Sequence, residues 1–204
     1  MFTGLVEQIG SVVTLEERDF GTRLVLSCKG WNQPPSQGAS ISVSGCCLTV
    51  VRAELSADET LLSFDMIPET LACTILSNLH KGDTLNLEQS LRADTLIGGH
   101  FVQGHVDGVE RVLECVTFGK SECRVRLTMC MVDTDVVVPK GSITINGVSL
   151  TVATVEEDWF EVVLIPTTIQ DTTLGSLQEG DQVNIETDMI ARTIARVVRR
   201  MQKT

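Results

Sequence analysis

Three pairs of similar segments occur in the same order in the two halves of this chain of 204 residues. The clearest pair, GASISVSGCCLTV at residues 38–50 and KGSITINGVSLTV at residues 140–152, aligns without a gap. The other pairs are MFTGLVE with FVQGHVD, at residues 1–7 and 101–107, and IPETLACTILSNLHKGDTLNLE with IPTTIQDTTLGSLQEGDQVNIE, at residues 67–88 and 165–186. The partners lie about 100 residues apart, whereas solenoid repeats run about 20–50 residues. The sequence therefore predicts two copies of one domain.

The repeat divides the chain into two domains and a tail. We assign residues 1–97 to an N-terminal domain, residues 98–188 to a C-terminal domain and residues 189–204 to a helix. Domains of this size bury only a thin core, so we expect each to dock against another copy.

Both halves show short strands with turn signals about every 8–12 residues, which is typical of an all-β barrel or sandwich. We expect two tandem antiparallel barrels, because closure leaves no exposed sheet edge; a sandwich is the alternative. Residues 1–13 are predicted to form a strand, residues 14–21 a polar turn and residues 68–79 a short helix. Residues 40–51 are predicted to form a strand that continues past Gly45.

The tail changes to a helical period. Asp188 is a plausible N-cap for this helix. The apolar residues share one face of the helix; they are Ile190, Ile194, Val197, Val198 and Met201. The basic residues lie on the rest of its surface; they are Arg192, Arg196, Arg199, Arg200 and Lys203. An isolated helix of about 15 residues is marginal, so it should pack on its own barrel or on copies in an oligomer. Membrane-surface binding is disfavoured because the face lacks bulky aromatic residues.

The composition excludes several classes of partner. The net charge of −11 argues against nucleic acid. No apolar run approaches the roughly 18 residues of a membrane helix, and the start, MFTGLVEQIG, lacks the basic residues of a signal peptide. The seven cysteines are odd in number, with Cys46 beside Cys47 and no CxxC pair, which favours free thiols over disulfides or a zinc site. We therefore expect a cytoplasmic protein.

Alternation along the repeated strand predicts a polar pair on the outside of each barrel. If Leu48 and Val50 face the core, Cys47 and Thr49 face outward. Ser149 and Thr151 are the equivalent pair in the second half. Polar residues on the outer face of a strand often only contact solvent and have no function. Here the polar pair recurs beside the equivalent glycines Gly45 and Gly147, which favours two equivalent ligand grooves.

Two of the three histidines, His100 and His105, lie in GGHFVQGH. On an extended strand, side chains five residues apart point to opposite faces, so the two are a poor metal pair. Each is either structural or a general acid or base. The chain contains no GxGxxG, GxxxxGK[ST] or GxSxG motif, which leaves phosphate loops and serine hydrolases unsupported.

MFTGLVE, SGCCLTV, GGHFVQGHVDG, NGVSLTV and LIPTT, in this order, resemble the α-type riboflavin synthase family over essentially the whole chain. The resemblance implies two six-stranded Greek-key barrels and a dismutation that needs no cofactor and no metal. Two 6,7-dimethyl-8-ribityllumazine molecules would exchange a four-carbon unit to give riboflavin and 5-amino-6-ribitylaminouracil. The site would form between the N-terminal barrel of one subunit and the C-terminal barrel of a neighbour, in a homotrimer joined through C-terminal helices.

Residue by residue, the resemblance implies nucleophile or activating positions at Cys47 and Ser149, proton-relay positions at Thr49 and Thr151, and a reaction-centre histidine at His105. The implied substrate contacts are Phe2, Thr3, Gly4, Val6, Ser40, Thr49, Ile67, Thr70, Val102, Lys140, Ile165, Thr168 and Asp188. Asn146 stands where some members carry an acid, so the base that removes the lumazine 7-methyl proton stays open.

Two other functions are compatible with the same barrels. A non-catalytic lumazine- or flavin-binding relative would be expected to lose polar residues in at least one half, whereas both outward pairs are present here. A purely structural double barrel would leave GGHFVQGH without a role.

Overall fold

A computed structural model describes residues 1–29, 31, 33–55, 59–118 and 122–202. It shows two closed six-stranded antiparallel barrels followed by a helix. The all-β prediction with two barrels is confirmed, and the sandwich alternative is wrong because each sheet closes on itself.

Barrel one contains six strands and a short helix after the fifth. They are β1 (Gln8–Arg18), β2 (Gly21–Cys28), β3 (Ser40–Val43), β4 (Cys46–Leu55), β5 (Thr60–Met66), α1 (Pro68–Cys73) and β6 (Thr84–Gln89). A 3₁₀ turn at Ile75–Asn78 follows α1. The strand order around the barrel is β1-β2-β5-β4-β3-β6.

Barrel two repeats the same elements in the same order around the sheet. They are β7 (Gly108–Phe118), β8 (Glu122–Thr128), β9 (Ser142–Ile145), β10 (Val148–Val155), β11 (Trp159–Leu164), α2 (Pro166–Asp171) and β12 (Gln182–Thr187). 3₁₀ turns occur at Thr134–Val136 and Thr173–Ser176. The short helix predicted at residues 68–79 is confirmed, and α2 is its copy.

Inward-facing strand residues fill each barrel with a core of its own. Leu24, Ile41 and Phe64 are fully buried or nearly so in barrel one, as are Phe160 and Ile185 in barrel two. The alternation that the sequence shows is thus the alternation between core and surface.

Two local predictions at the start of the chain are wrong. The first strand begins at Gln8, and residues 1–7 contribute only an isolated bridge between Phe2 and Val102. The polar stretch predicted as a turn continues β1 as far as Arg18, with Glu16 opposite Arg23. This end of β1 is exposed, so both faces carry polar residues and the alternation that marks a half-buried strand is lost.

The repeated strand is also two strands rather than one. Ser44 and Gly45 both have positive φ, 44° and 85°, as do Asn146 and Gly147, 46° and 78°. Such pairs form the two-residue turns that match the twist of an antiparallel hairpin. Asn-Gly at residues 146–147 is the sequence signal for this hairpin, and it also identifies the equivalent Ser-Gly turn.

Asn86 and Asn184, at equivalent positions of β6 and β12, join the barrels around an approximate two-fold relation. The Asn86 side chain donates to the Asn146 carbonyl at 2.9 Å and accepts from the Thr173 backbone at 2.8 Å. Asn184 donates to the Ser44 carbonyl and accepts from the Ile75 backbone, both at 2.8 Å. Both asparagines are 1 % exposed, so the docking expected for small domains occurs between the two copies themselves.

Asn86→Ala should lower the free energy of unfolding by roughly 2–5 kcal/mol, because the buried Asn146 carbonyl and the partly buried Thr173 N–H lose their partner. Asn78→Ala is the matched control, since Asn78 also bonds across the barrels, to Gln182, but is exposed. We expect the control to stay within about 0.5 kcal/mol of the parent chain. Urea unfolding followed by circular dichroism measures both; equal losses would contradict this account of the interface.

The tail helix is confirmed as α3 (Met189–Met201), with the Asp188 side chain accepting from the Ile190 backbone at 2.8 Å. Arg199 holds α3 to barrel two through Asp133, at 2.6 and 2.7 Å. The apolar face of α3 remains exposed, with Ile194 at 58 %. Lys203 and Thr204 lie outside the described residues. Among the described residues, no helix is long and apolar enough to cross a membrane.

Candidate functional site

The predicted outward pairs lie on equivalent strands. On β4, Leu48 and Val50 are buried whereas Cys47 is partly exposed and Thr49 exposed. On β10, Ser149 is partly exposed and Thr151 exposed, so the predicted orientation is confirmed. We call the surface around Cys47 and Thr49 the Cys47 groove, and that around Ser149 and Thr151 the Ser149 groove.

Neighbouring strands extend both grooves with further hydroxyl groups. Ser40 pairs with Thr49, and Ser42 with Cys47. In barrel two, Ser142 pairs with Thr151 and Thr144 with Ser149. Both grooves therefore contain the same polar ladder, except that a thiol in one replaces a hydroxyl in the other. Ser42 and Thr144, at 2 % and 1 % exposure, are its buried members.

Each groove is completed by a segment from the other half of the chain. Residues 1–7, the first crossing segment, reach barrel two, where Ser149 N donates to the Gly4 carbonyl at 2.8 Å and Val6 packs on the core. Residues 101–106, the second crossing segment, reach barrel one, where Cys47 N donates to the Gly104 carbonyl at 2.8 Å and Val106 packs on the core. Both grooves therefore depend on both barrels.

The two crossing segments meet at Phe2 and Val102, which exchange backbone hydrogen bonds of 2.7 and 3.1 Å. Phe2 is fully buried and Val102 is 1 % exposed. Within one chain these two residues therefore support the grooves from beneath. Thr3, at 4 % exposure, is likewise buried.

A buried glutamate holds each crossing segment. Glu88 accepts from Thr3 N at 2.6 Å, from Thr3 Oγ1 at 2.7 Å and from Gly4 N at 3.0 Å. Glu186 accepts from the backbone N–H of Gln103, Gly104 and His105 at 2.7, 2.9 and 3.0 Å. Burial raises the pKa of both carboxyl groups, and these hydrogen bonds oppose the rise.

His100 lies in the Ser149 groove. Its Nδ1 is 2.7 Å from Ser149 Oγ and its Nε2 is 3.3 Å from Thr144 Oγ1. Burial lowers the pKa of the imidazole, and the Asp188 carboxylate acts in the opposite direction. The neutral ring is thus favoured, and it can accept the Ser149 hydroxyl proton.

The prediction that His100 and His105 point to opposite faces of one strand is wrong in its premise, because residues 98–107 form no strand apart from the bridge at Val102. His105 is exposed and follows Gly104, which contacts Cys47. The sequence allows His100 as a general acid or base but does not indicate that it lies beside Ser149. The available signal was an asymmetry, because the repeat aligns residue 101 with residue 1 and leaves His100 without a counterpart.

The remaining predicted contacts fall into two sets. Ile67 and Ile165 directly follow β5 and β11, at equivalent positions of the two barrels. Both isoleucines are more than half exposed and could cover an aromatic ring. Thr70 and Thr168 follow on α1 and α2.

Lys140 lies two residues before β9, and Asp188 directly follows β12, which pairs with β9. Lys140 is exposed, has a φ of 66° and donates its backbone N–H to the Val152 carbonyl at 2.8 Å. Asp188 caps α3 and acts electrostatically on His100. Asn146, in contrast, is a turn residue. Its side-chain oxygen accepts from Asn184 N of its own barrel at 2.8 Å, and its carbonyl accepts from the Asn86 side chain of barrel one at 2.9 Å, so it belongs to the contact between barrels.

Comparison with known proteins agrees with the two-barrel organisation. A family model for the lumazine binding domain matches residues 3–90 and again residues 103–188. The chain is 40 % identical over 203 residues to riboflavin synthase of Mycobacterium tuberculosis, covering 98 % of each chain. It is 38 % identical over 202 residues to riboflavin synthase of Chlamydia pneumoniae, covering 98 % of this chain and 96 % of the relative.

Solved structures show the same fold with ligands. The structure of LumP complexed with 6,7-dimethyl-8-(1′-D-ribityl) lumazine superposes with a TM-score of 0.75 at 25 % identity, covering 92 % of this chain and 99 % of that one. LumP complexed with riboflavin gives a TM-score of 0.76 at 27 % identity with the same coverage.

Proposed function

This chain belongs to the lumazine-binding family, and from that membership we infer that it is a riboflavin synthase. The reaction joins two identical 6,7-dimethyl-8-ribityllumazine molecules. A four-carbon unit passes from one to the other, giving riboflavin and 5-amino-6-ribitylaminouracil. We keep the division into residues 1–97, 98–188 and 189–204 as part of the proposal, supported by the two family matches at residues 3–90 and 103–188.

The observation that carries the proposal is the pair of equivalent polar grooves, each walled by the other half of the chain. A reaction between two identical molecules needs two similar binding surfaces that can be brought face to face. Holding two reactants in a productive geometry can supply about 7–11 kcal/mol of the barrier. Duplicated barrels therefore suit this reaction better than they suit the binding of a single ligand.

The two grooves differ in one chemical respect that suits different roles. In the Ser149 groove the neutral His100 ring can accept the hydroxyl proton, which makes Ser149 Oγ a better nucleophile or proton carrier. In the Cys47 groove the equivalent position carries a thiol, and His105 follows the Gly104 contact. We assign proton transfer in the Ser149 groove to Ser149 and His100, with Thr151 nearby, and ring contacts to Thr49, Ile67 and Ile165.

The remaining substrate contacts expected from the resemblance stay part of this proposal. They are Thr3, Gly4, Val6, Ser40, Thr70, Lys140, Thr168 and Asp188. Phe2 and Val102, at 0 % and 1 % exposure, would act instead by supporting the grooves. We also propose that the working site forms between the Cys47 groove of one subunit and the Ser149 groove of another in a homotrimer. The exposed apolar face of α3 supports an oligomer. The cytoplasmic location expected from the cysteine pattern belongs to the same proposal.

Incubation with 6,7-dimethyl-8-ribityllumazine alone tests the function. We expect one riboflavin for every two lumazines consumed, followed by absorbance, with one 5-amino-6-ribitylaminouracil as the second product. Binding without turnover would favour a non-catalytic lumazine-binding protein. Neither binding nor turnover would contradict the proposal.

The pH profile tests the role of His100. Because burial favours the neutral ring, protonation should set in only below about 6.5, the ordinary pKa of histidine. Protonated His100 cannot accept from Ser149, so kcat/KM should fall on the acid side with an apparent pKa below that value. His100→Gln should remove this limb and lower the rate by about 10²–10⁴-fold.

His80→Gln is the matched control, because the His80 side chain is 85 % exposed. Its profile should coincide with that of the parent chain. An unchanged acid limb in His100→Gln would assign the titration to another group.

A further inference from the structure

Glu186 of barrel two is bonded to the segment that walls the groove of barrel one. It lies on β12, is 2 % exposed and accepts three backbone N–H groups from residues 103–105. Hydrogen bonds to a charged acceptor are about twice as strong as neutral ones. Glu186 is therefore the strongest single anchor of the second crossing segment.

Movement of that segment would be transmitted directly to Cys47. The Gly104 carbonyl accepts from Cys47 N at 2.8 Å. The backbones of the second crossing segment and β4 are so close that a Cβ on Gly104 would lie 2.6 Å from Cys47 Cβ. A shift of Gly104 thus either breaks this hydrogen bond or displaces Cys47.

The equivalent arrangement runs in the opposite direction. Glu88 of barrel one, 4 % exposed, accepts from Thr3 and Gly4. The Gly4 carbonyl accepts from Ser149 N at 2.8 Å, and a Cβ on Gly4 would lie 2.6 Å from Ser149 Cβ. The same chemistry thus occurs twice, each time from one barrel to the groove of the other.

We propose that Glu186 and Glu88 are positioning residues that act across the two barrels: Glu186 sets the geometry of the Cys47 groove, and Glu88 sets that of the Ser149 groove. The proposal depends on the proposed function only in taking the grooves as substrate sites. The crossed geometry itself can be measured without turnover. It explains why the two domains act as a unit, since neither groove is complete without the carboxylate of the opposite barrel.

Glu186→Gln and Glu88→Gln form a matched pair of variants. Each keeps the size of the side chain but replaces one accepting oxygen by an NH₂ group, which cannot accept from a backbone N–H. Each variant therefore loses hydrogen bonds to only one of the two crossing segments. Because the two sites are equally buried and chemically alike, a general loosening of the fold should affect both variants equally.

The test measures the rate of alkylation of individual thiols in the full chain by iodoacetamide and peptide mass spectrometry. Cys47 reports on its own groove, and the exposed Cys73 serves as an internal reference. Glu186→Gln should speed Cys47 labelling by about tenfold, the factor that corresponds to one lost hydrogen bond to a charged group. Glu88→Gln should leave the Cys47 rate unchanged, and Cys73 should react equally in all chains.

A second background reports on the other groove. Ser149→Cys places a thiol at the position equivalent to Cys47. In that background Glu88→Gln should speed labelling at position 149 by about tenfold, whereas Glu186→Gln should not. This reversal is the result that a merely structural role would not produce.

Three outcomes would overturn the proposal: labelling that increases in the groove of the same barrel as the substituted glutamate, equal increases in both grooves, or no increase in either. If a glutamine variant fails to fold, Glu186→Asp and Glu88→Asp retain the charge, shorten the side chain and should give the same crossed pattern with smaller factors. Riboflavin formation by the parent chain is scored separately. A failed function with crossed labelling would therefore leave the positioning roles standing.

Discussion

Gly104→Ala should reduce riboflavin formation by about 100-fold, because a misplacement of about 1 Å in a site can cost that factor. Gly104 has a φ of 80°, and an added Cβ would meet Cys47 Cβ at 2.6 Å and Phe2 Cε2 at 2.9 Å. The left-handed backbone costs a non-glycine residue about 1–2 kcal/mol, and overpacking adds about 1–3 kcal/mol. Stability should therefore fall by roughly 2–5 kcal/mol.

Gly82→Ala separates the backbone strain from the collision. Gly82 has a φ of 95° but nothing lies within 4 Å of the Cβ position. We expect a loss of about 1–2 kcal/mol in the free energy of unfolding and unchanged kcat. Urea unfolding and initial rates measure the two effects. A stable Gly104→Ala chain with full activity would show that the second crossing segment does not shape the site.

Introducing charge on the apolar face of α3 should dissociate the proposed oligomer and abolish most of the activity. Ile194 and Val197 are 58 % and 52 % exposed in the single chain, and fully burying such side chains is worth about 1.5–3 kcal/mol each. Ile194→Lys with Val197→Lys would instead bury two charges, which is prohibitive without partners. We expect monomers by analytical ultracentrifugation and activity reduced by about 100-fold or more, since losing one wall of the site forfeits positioning.

Arg196→Gln is the control for α3, because it alters charge on the polar face and leaves the apolar face intact. It should keep both assembly and rate. Monomers of the double variant that retain full activity would rule out a site shared between subunits. Oligomers that persist would place the subunit contact elsewhere.

The local patterns predicted the strands well where one face is buried and the other exposed. The orientation of Leu48 against Cys47 follows from alternation, and the tail helix follows from its period and from the Asp188 cap. Prediction failed at residues 14–21, where an exposed strand end carries polar residues on both faces. It failed again at the turns after Val43 and Ile145. A two-residue turn leaves the alternation of inward and outward residues unchanged, so the pattern does not show where one strand ends and the next begins.

The geometry of the candidate site was predicted in part. The repeat identified Cys47 and Ser149 as equivalent, but His100 has no counterpart in the first half and offered no repeated signal. Its bond to Ser149 joins residues 49 positions apart. Only the path of the chain just before the second crossing segment brings them together.

By itself, the sequence determined the duplication, the alternation of each strand and the amphipathic tail, because these depend on periods of a few residues or on similarity between segments. The tertiary structure decided that each crossing segment lies on the opposite barrel, and that Glu88 and Glu186 are buried anchors. Those bonds join residues more than 80 positions apart. A buried glutamate that accepts three hydrogen bonds and a glutamate exposed to water can occupy the same position in a strand pattern. The sequence therefore does not distinguish the two.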